Sequence, residues 1–285
     1  MKVLITGANG MVARAAVGSC QAVGDEVFAL TRQEMDIADR NEVISKVTGI
    51  RPDAVINCAA YTSVDGAETD RESCFAVNSA GVENLASACR LADAAFVTIS
   101  TDYVFDGRNP GFYTQRDTPV PLGVYGKAKR EGEIRAFAEY PRSIIVRSGW
   151  IYGAGGTNFL SVLPRLLAEG KPITAIVDSF GTPTSASDLA ARLRELAATD
   201  LPGIYHVTNP GPGCSYMDFA EKVCEVGGFA KTLLQSASHA GLKRPAPRPL
   251  SSKLACLISE KLGFAPIRPW DEALAEFVAG SEYHN

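Results

Sequence analysis

Histidine is scarce in this chain of 285 residues: there are three, His206, His239 and His284, far apart and never four residues from one another. Zinc sites are built from closely spaced imidazoles and thiolates, so no metal is expected. The seven cysteines (Cys20, Cys58, Cys74, Cys89, Cys214, Cys224 and Cys256) are odd in number and form no CxxC pair. Lying mostly inside apolar runs, they read as reduced core thiols rather than a disulfide framework. Long apolar runs are missing too. The longest obvious one covers residues 54–61, far short of the ~20 residues that cross a bilayer, which excludes a membrane-spanning helix. After Lys2 only Val3, Leu4 and Ile5 precede Thr6 and Gly7, too little for a secretory leader, and a cytoplasmic location is the expectation. Nor does charge of one sign prevail: 28 basic against 32 acidic side chains leave a net charge of −4, which argues against nucleic acid as a partner. What remains is a globular composition, 46% hydrophobic and 21% charged, in a chain long enough for about two domains or one large α/β domain.

Periodicity orders the first half. Lys2–Thr6 is a β-branched run broken at Gly7, after which Met11, Val12, Ala15, Ala16 and Val17 recur at helical spacing. A second strand, Glu26–Leu30, precedes a helix from about Asp39, with Val43, Ile44 and Val47 on one face, and a third strand covers residues 53–57. A long helix runs through Phe75, Val77, Leu85, Ala88 and Leu91. It is followed by a strand at 95–99, a helix at about 123–139 and a strand at 143–147. Strands alternating with crossover helices mean a doubly wound parallel sheet, a Rossmann-like α/β fold. After about Trp150 proline and glycine become frequent, and Pro245, Pro247 and Pro249 mark residues 243–249 as an ordered loop over a cleft.

Three patterns carry chemistry. Gly7-Ala8-Asn9-Gly10-Met11-Val12-Ala13 lies between the first strand and its helix, where a glycine turn lets the backbone approach a pyrophosphate held by the helix N-terminus. A tight turn of small residues is the plainer alternative, and the spacing is GxxGxxA rather than GxGxxG. Thr31-Arg32 stands where an acid would grip a ribose 2′-hydroxyl, and an arginine there favours a 2′-phosphate, although Glu34 and Asp36 are close enough to supply a carboxylate instead. Tyr125 and Lys129 form a YxxxK pair early in a helix, preceded by Ser100-Thr101 at the end of the fourth strand. On a shared helix face the ammonium is expected to lower the phenol's pKa and so tune it for proton delivery. In many helices such a pair is only a packed Tyr and a snorkelling Lys.

With these residues in place the chain resembles the extended short-chain dehydrogenase/reductase family, in its nucleotide-sugar branch, and most of all the dTDP-4-dehydrorhamnose reductases. The resemblance rests on TGANGMV at the start, NCAAYTSVDGAE at 57–68, VNSAGVENLA at 77–86, STDYVFDG at 100–107 and VYGKAKREGE at 124–133. It continues through RSGWIYG at 147–153, Asn158-Phe159, DSFGTPT at 178–184 and RPLSSKL at 248–254, in order over about nine tenths of the chain. It implies an NADP-binding domain over residues 1–150 and a smaller substrate-binding region over 151–285, intercalated with the first. It further implies Thr101, Tyr125 and Lys129 as the catalytic set: Tyr125 the proton donor, Lys129 the holder of the nicotinamide ribose, Thr101 a hydrogen-bond donor to the substrate carbonyl. Gly7, Gly10, Met11, Arg32, Asp36, Asn57, Ala59, Ala60 and Tyr61 are expected along the cofactor. Asp102, Tyr103 and Trp150 are expected at the sugar, and Asn158 and Arg248 at the nucleotide end. Trp150 could equally be a core tryptophan.

Ser179, Tyr216 and Ser252 depart from the residues usual in that family, and its magnesium-binding glutamates have no match here, so no metal is carried over. The implied activity is NADPH-dependent reduction of the C4 ketone of a deoxy-sugar nucleotide, with NADH admitted as a second donor and a homodimer allowed. Epimerases and dehydratases share the fold and the YxxxK, but a dehydratase places a glutamate directly after the Asp of the strand-four motif, where Tyr103 stands. A non-catalytic NADP-binding subunit like the regulatory subunit of methionine adenosyltransferase is the rival from another class.

Overall fold

A computed structural model describes residues 1–280; His284 lies outside the described residues. The strands β1 (Lys2–Thr6), β2 (Glu26–Leu30), β3 (Ala54–Asn57), β4 (Ala95–Thr101) and β5 (Ser143–Ser148) form where the apolar runs predict them. β4 and β5 run past their expected ends, because Ser100, Thr101 and Ser148 keep pairing although their side chains are polar. The helices between them are α1 (Met11–Ala22), α2 (Arg40–Ile50), α3 (Gly81–Ala92) and α4 (Val124–Glu139).

Every pairing in the central sheet is parallel. Because helices cover both faces, the inner strands β1, β3, β4 and β5 are buried almost throughout and mainly apolar rather than alternating, whereas β2 at the edge is partly exposed. Val3, Ile5, Ile56, Val97 and Val146 pack on one face against Ala13 and Ala16 of α1. Leu4, Val55, Phe96 and Ile145 face the other way, onto Val47, Leu85 and Ala136 from α2, α3 and α4.

Two features were not legible, and a third, the intercalation of the region after residue 150, was legible only in outline. The long helix expected through Phe75 and Leu91 is a short helix, Arg71–Phe75, then a π-helical turn, Ala76–Ala80, then α3. The π turn brings Asn78 to the loop after β3, where its side chain accepts from Tyr61 N at 2.9 Å and donates to Tyr61 O at 2.9 Å. Beyond residue 150 the chain forms α5 (Phe159–Ala168) and then returns to the sheet with α6 (Ala186–Thr199), whose Leu189 and Leu193 cover the α1 face. A sixth strand, β6 (Gly203–His206), completes the order β6-β5-β4-β3-β1-β2. The region expected at 151–285 is therefore threaded through the expected 1–150 domain. Its own apolar cluster is built by α5 with α7 (Tyr216–Gly227) and α8 (Trp270–Ala279), through Leu163, Phe219, Val223 and Leu274.

At the carboxyl edge of the sheet one carboxylate ties these elements together. Glu133 of α4 accepts from Arg147 Nε at 2.8 Å and Nη2 at 2.7 Å on β5, from Ser100 Oγ at 2.6 Å on β4, and from Arg130 at 2.7 Å. The Arg147 and Glu133 side chains are 2% and 1% exposed. Glu133→Leu should cost about 3–5 kcal/mol in urea unfolding, because it leaves a buried guanidinium without its partner. Glu169→Ala, which breaks the half-exposed Arg165–Glu169 pair, should stay within about 0.5 kcal/mol.

Candidate active site

The chain reverses its winding between β1 and β3, and such switch points leave a crevice at the carboxyl ends of the strands. A cleft of about 640 Å³ opens there. Its floor begins at the glycine turn. Gly7 has φ +70°, and a Cβ on it would lie 2.8 Å from Ala59 Cα, so only glycine lets β1 and the loop after β3 approach this closely. Gly10 is the N-cap of α1 without a side-chain hydrogen bond, and no acid occupies the first turn, which leaves the helix's leading amides and positive dipole end facing the cleft.

Gly10, Met11, Ala59 and Ala60 line this cleft together with Thr101, Asp102, Tyr103, Tyr125, Lys129, Trp150 and Asn158. Gly7 and Asn57 instead lie beneath it. Asn57 is buried, its Oδ1 accepting from Thr6 Oγ1 at 2.6 Å and its Nδ2 donating to Thr98 Oγ1 at 2.9 Å, so it locks the ends of β1 and β3 to the middle of β4. Tyr61 is held by Asn78 and lies outside the lining. Arg32 and Asp36 also lie outside it, beyond β2, paired at 3.2 Å with the arginine side chain 81% exposed. Glu34, the other acid weighed for a ribose, turns back onto Thr31, accepting from its N and its Oγ1 at 2.8 Å each.

The reactive trio is assembled by β4 and α4. Thr101 ends β4, and its hydroxyl donates to Asp102 Oδ1 at 3.0 Å and accepts from Tyr103 N at 3.1 Å. Gly126, next to Tyr125, lets α4 press on this turn, since a Cβ there would lie 2.3 Å from Tyr103 O. Burial pushes the Tyr125 phenol above its ordinary range, and the Thr101 hydroxyl only partly opposes this. Lys129, expected to lower the phenol's pKa, is not among the groups that do so; its Nζ donates to Ile99 O at 2.6 Å. Burial pushes Lys129 down to about 8, against the opposing charge of Glu133 one turn on. The result is a phenol that stays protonated at neutral pH, in the same cleft as an ammonium that keeps most of its charge.

Around the far end the cleft is aromatic and acidic. Trp150, at φ +51°, stacks on Tyr216 with ring centroids 3.9 Å apart, a conformation held by the close approach of Gly181, whose Cβ would lie 2.1 Å from the indole. Asp102 is 3% exposed, and its second oxygen accepts from Ser252 Oγ. Burial raises its carboxyl to about 6, although the hydroxyls of Ser252 and Thr101 pull the other way. Asn158 caps α5, accepting from Ser161 N at 3.1 Å and donating to Ile151 O at 2.9 Å, so its side chain is already engaged. Arg248 lies in the proline loop outside the cleft lining and pairs with Asp65.

Sequence reasoning missed Ser148, which pairs in register with Thr101 and lines the cleft. Its buried hydroxyl has no hydrogen-bond partner among the described residues, and only the pairing of β4 with β5 could have pointed to it.

This geometry agrees with what the chain is similar to. The family model for the RmlD substrate binding domain matches residues 1–282. The chain belongs to that family. The dTDP-4-dehydrorhamnose reductase of Mycolicibacterium smegmatis is 38% identical over 98% of this chain and 85% of its own. That of Streptomyces griseus is 39% identical over 96% and 91%. Among solved structures, a dTDP-4-dehydrorhamnose reductase from Bacillus anthracis in complex with NADP superposes with a TM-score of 0.94 at 34% identity, covering 99% of this chain and 100% of that one. In this RmlD-family chain no helix among the described residues is long and apolar enough to cross a membrane. All seven cysteines are free, five of them buried and Cys58 and Cys256 partly so.

The raised carboxyl gives a signed prediction. In the folded state Asp102 holds its proton to about pH 6, against an ordinary value of 3.8 for an aspartate carboxyl, so between about pH 4 and 6 the folded protein binds more protons and stability falls as pH rises. Asp102→Asn removes this dependence. Urea unfolding of both proteins should show the variant gaining on wild type by about 2 kcal/mol from pH 4.5 to pH 7; parallel curves would place the Asp102 proton elsewhere.

Proposed function

We propose that the chain is an NADPH-dependent reductase of the C4 ketone of a deoxy-sugar nucleotide, converting dTDP-4-dehydro-L-rhamnose to dTDP-L-rhamnose. The observation that carries this reading is the convergence of Thr101, Tyr125 and Lys129 in the same cleft as an uncapped helix N-terminus behind a glycine turn. The dinucleotide fits: the turn leaves room for a pyrophosphate, and the α1 amides face it. NADPH, when bound, supplies the hydride.

The chain's residues do the rest. Thr101 orients the carbonyl oxygen of the substrate. Tyr125, kept neutral by its burial, transfers its phenolic proton to the alkoxide oxygen as that charge develops. Lys129 holds the nicotinamide ribose and brings a positive charge into the same cleft. Trp150 and Tyr216 form an aromatic wall for the sugar, and Arg248 serves the nucleotide end. The same reading sets the reaction in the cytoplasm and allows a homodimer. Dehydration is disfavoured because Tyr103, not glutamate, follows Asp102. Retention of all three reactive side chains in one cleft favours an enzyme over a non-catalytic NADP-binding subunit.

NADPH oxidation in the presence of a panel of 4-keto-sugar nucleotides, with the product identified by mass and NMR, tests the reading. Tyr125→Phe should lower kcat by ~10² or more with cofactor affinity little changed, and near-normal turnover would remove Tyr125 from the chemistry.

Cofactor choice rests on Arg32. Its Nε is engaged by Asp36 while the side chain stays 81% exposed, so its terminal amino groups can reach a 2′-phosphate from solvent. Arg32→Ala should erase a preference for NADPH of about tenfold in kcat/KM by raising the NADPH KM alone. Equal NADPH/NADH ratios in wild type and variant, at one ionic strength, would exclude Arg32 from the site.

A further inference from the structure

The reductase reading assigns Arg248 to the nucleotide end of the substrate but gives no reason why its guanidinium should point usefully, and the reason lies in an acid from the opposite loop. Asp65 lies in the segment after β3, whereas Arg248 lies 183 residues later in the proline loop. Arg248 Nη1 donates to Asp65 Oδ1 at 2.9 Å and Nη2 donates to Asp65 Oδ2 at 2.7 Å. Nη1 spends its other hydrogen on Ala246 O at 3.1 Å, while Ala246 N donates to Asp65 Oδ1 at 3.1 Å. One carboxylate thus fixes both the guanidinium and the backbone that carries it, and Pro245, Pro247 and Pro249 narrow what that backbone can do.

A guanidinium has five N–H donors in a rigid fork. Asp65 takes the end-on pair and Ala246 O a third, so two remain: Nε–H and the second hydrogen of Nη2, which lie on one side edge and point the same way. Among the described residues neither has a recorded partner. The side chain is 14% exposed, and its charge acts on Tyr103 and Tyr216, both of which line the cleft. Two parallel donors on one edge match two oxygens of a phosphate group.

We propose that Asp65 is a positioning residue that holds the end of the Arg248 guanidinium so that its side edge stays open as a two-donor fork for the diphosphate of the sugar nucleotide. This rests on the reductase reading for the identity of the anion. Removing the acid frees the arginine to rotate, and re-ordering such a side chain on binding costs affinity.

Thymidine 5′-diphosphate is the probe, titrated calorimetrically into wild type, Asp65→Asn, Arg248→Met and the double variant. Asp65→Asn should weaken its Kd roughly five- to tenfold, Arg248→Met at least as much, and the double variant no more than Arg248→Met alone. In turnover, Asp65→Asn should raise the sugar-nucleotide KM by a similar factor and move kcat less than twofold, with NADPH affinity unaltered; a general loosening of the loop would move all three. An unchanged or tighter Kd in Asp65→Asn overturns the proposal, the tighter one by making Asp65 a competitor of the anion. Additive losses in the double variant, or no affinity of wild type for the probe, overturn it too. Failure of the reductase reading looks different: no 4-keto-sugar nucleotide is turned over by wild type while the Asp65-dependent diphosphate affinity persists.

Discussion

Glu133 sits where four parts of the fold have to agree. Its carboxylate receives Ser100 from β4 and Arg147 from β5 while belonging to α4. Arg147 in turn reaches His206 of β6, 3.5 Å from Nη1. The other nitrogen of that imidazole faces Ala255 O at 3.0 Å and Tyr113 O at 3.2 Å. Burial and the nearby guanidinium push His206 down to about 4, so it stays neutral and spends its one N–H on those carbonyls. Buried ion pairs of this kind contribute little net stability against apolar packing, but they penalise every arrangement in which the partners do not meet. Here the permitted arrangement brings Thr101, next to Ser100, and Lys129, one turn before Glu133, to the same edge. The register of the reactive residues is thus set one residue or one turn away from a charge pair that cannot slip.

The electrostatics of Tyr125 and Lys129 follow from the desolvation of each group rather than from the YxxxK spacing. Four residues of helix do put Tyr125 and Lys129 on one face, yet the ammonium is drawn to the Ile99 carbonyl at the end of β4 and the phenol is governed by desolvation. A general acid acting on an alkoxide needs a proton to give, and a half-buried phenol kept neutral by desolvation has one. An isolated lysine at that depth would lose its charge, and Glu133 opposes that loss. The pair that anchors α4 therefore also sustains the Lys129 charge in the cleft.

How much of this was legible follows from which forces are local. The alternating apolar runs and helical spacings located five strands of the sheet because burial on both faces is written into consecutive residues such as Val3, Leu4 and Ile5. The glycine turn and the YxxxK were legible for the same reason, each being a short segment with one geometric task. The π turn was not, since a single inserted residue leaves composition untouched and shifts only which side Asn78 faces. β6 was not, since four residues between Pro202 and Val207 become a strand only by finding β5. In the site, Asn57 looked like a cofactor contact by its position in a motif, but its amide is consumed in joining the ends of β1 and β3 to the middle of β4. Ser148 went unnoticed because its significance lies in its pairing with Thr101 across the sheet. Ser252 and Tyr216 stood out as departures, yet their partners, Asp102 and Trp150, are 150 and 66 residues away by number and adjacent only in the fold.

The two arginines assigned to phosphate groups show how the same side chain can be put to different use. Arg32 is paired with an acid four residues on, within one segment, through Nε alone, and remains largely in water. Holding an exposed guanidinium in one pose by a single hydrogen bond gains little over its freedom to rotate, so any discrimination it exerts is graded and screened by salt. Arg248 is gripped through both terminal nitrogens by an acid 183 residues earlier in the chain and is mostly shielded. Its ordering entropy is lost on folding, before any ligand arrives, and the donors left over have a fixed direction. A site built this way tolerates a change of cofactor more readily than a change in where the substrate's phosphates lie. On the proposed reading that difference suits the reaction, because the carbonyl oxygen of the sugar must meet the Tyr125 phenol at one point.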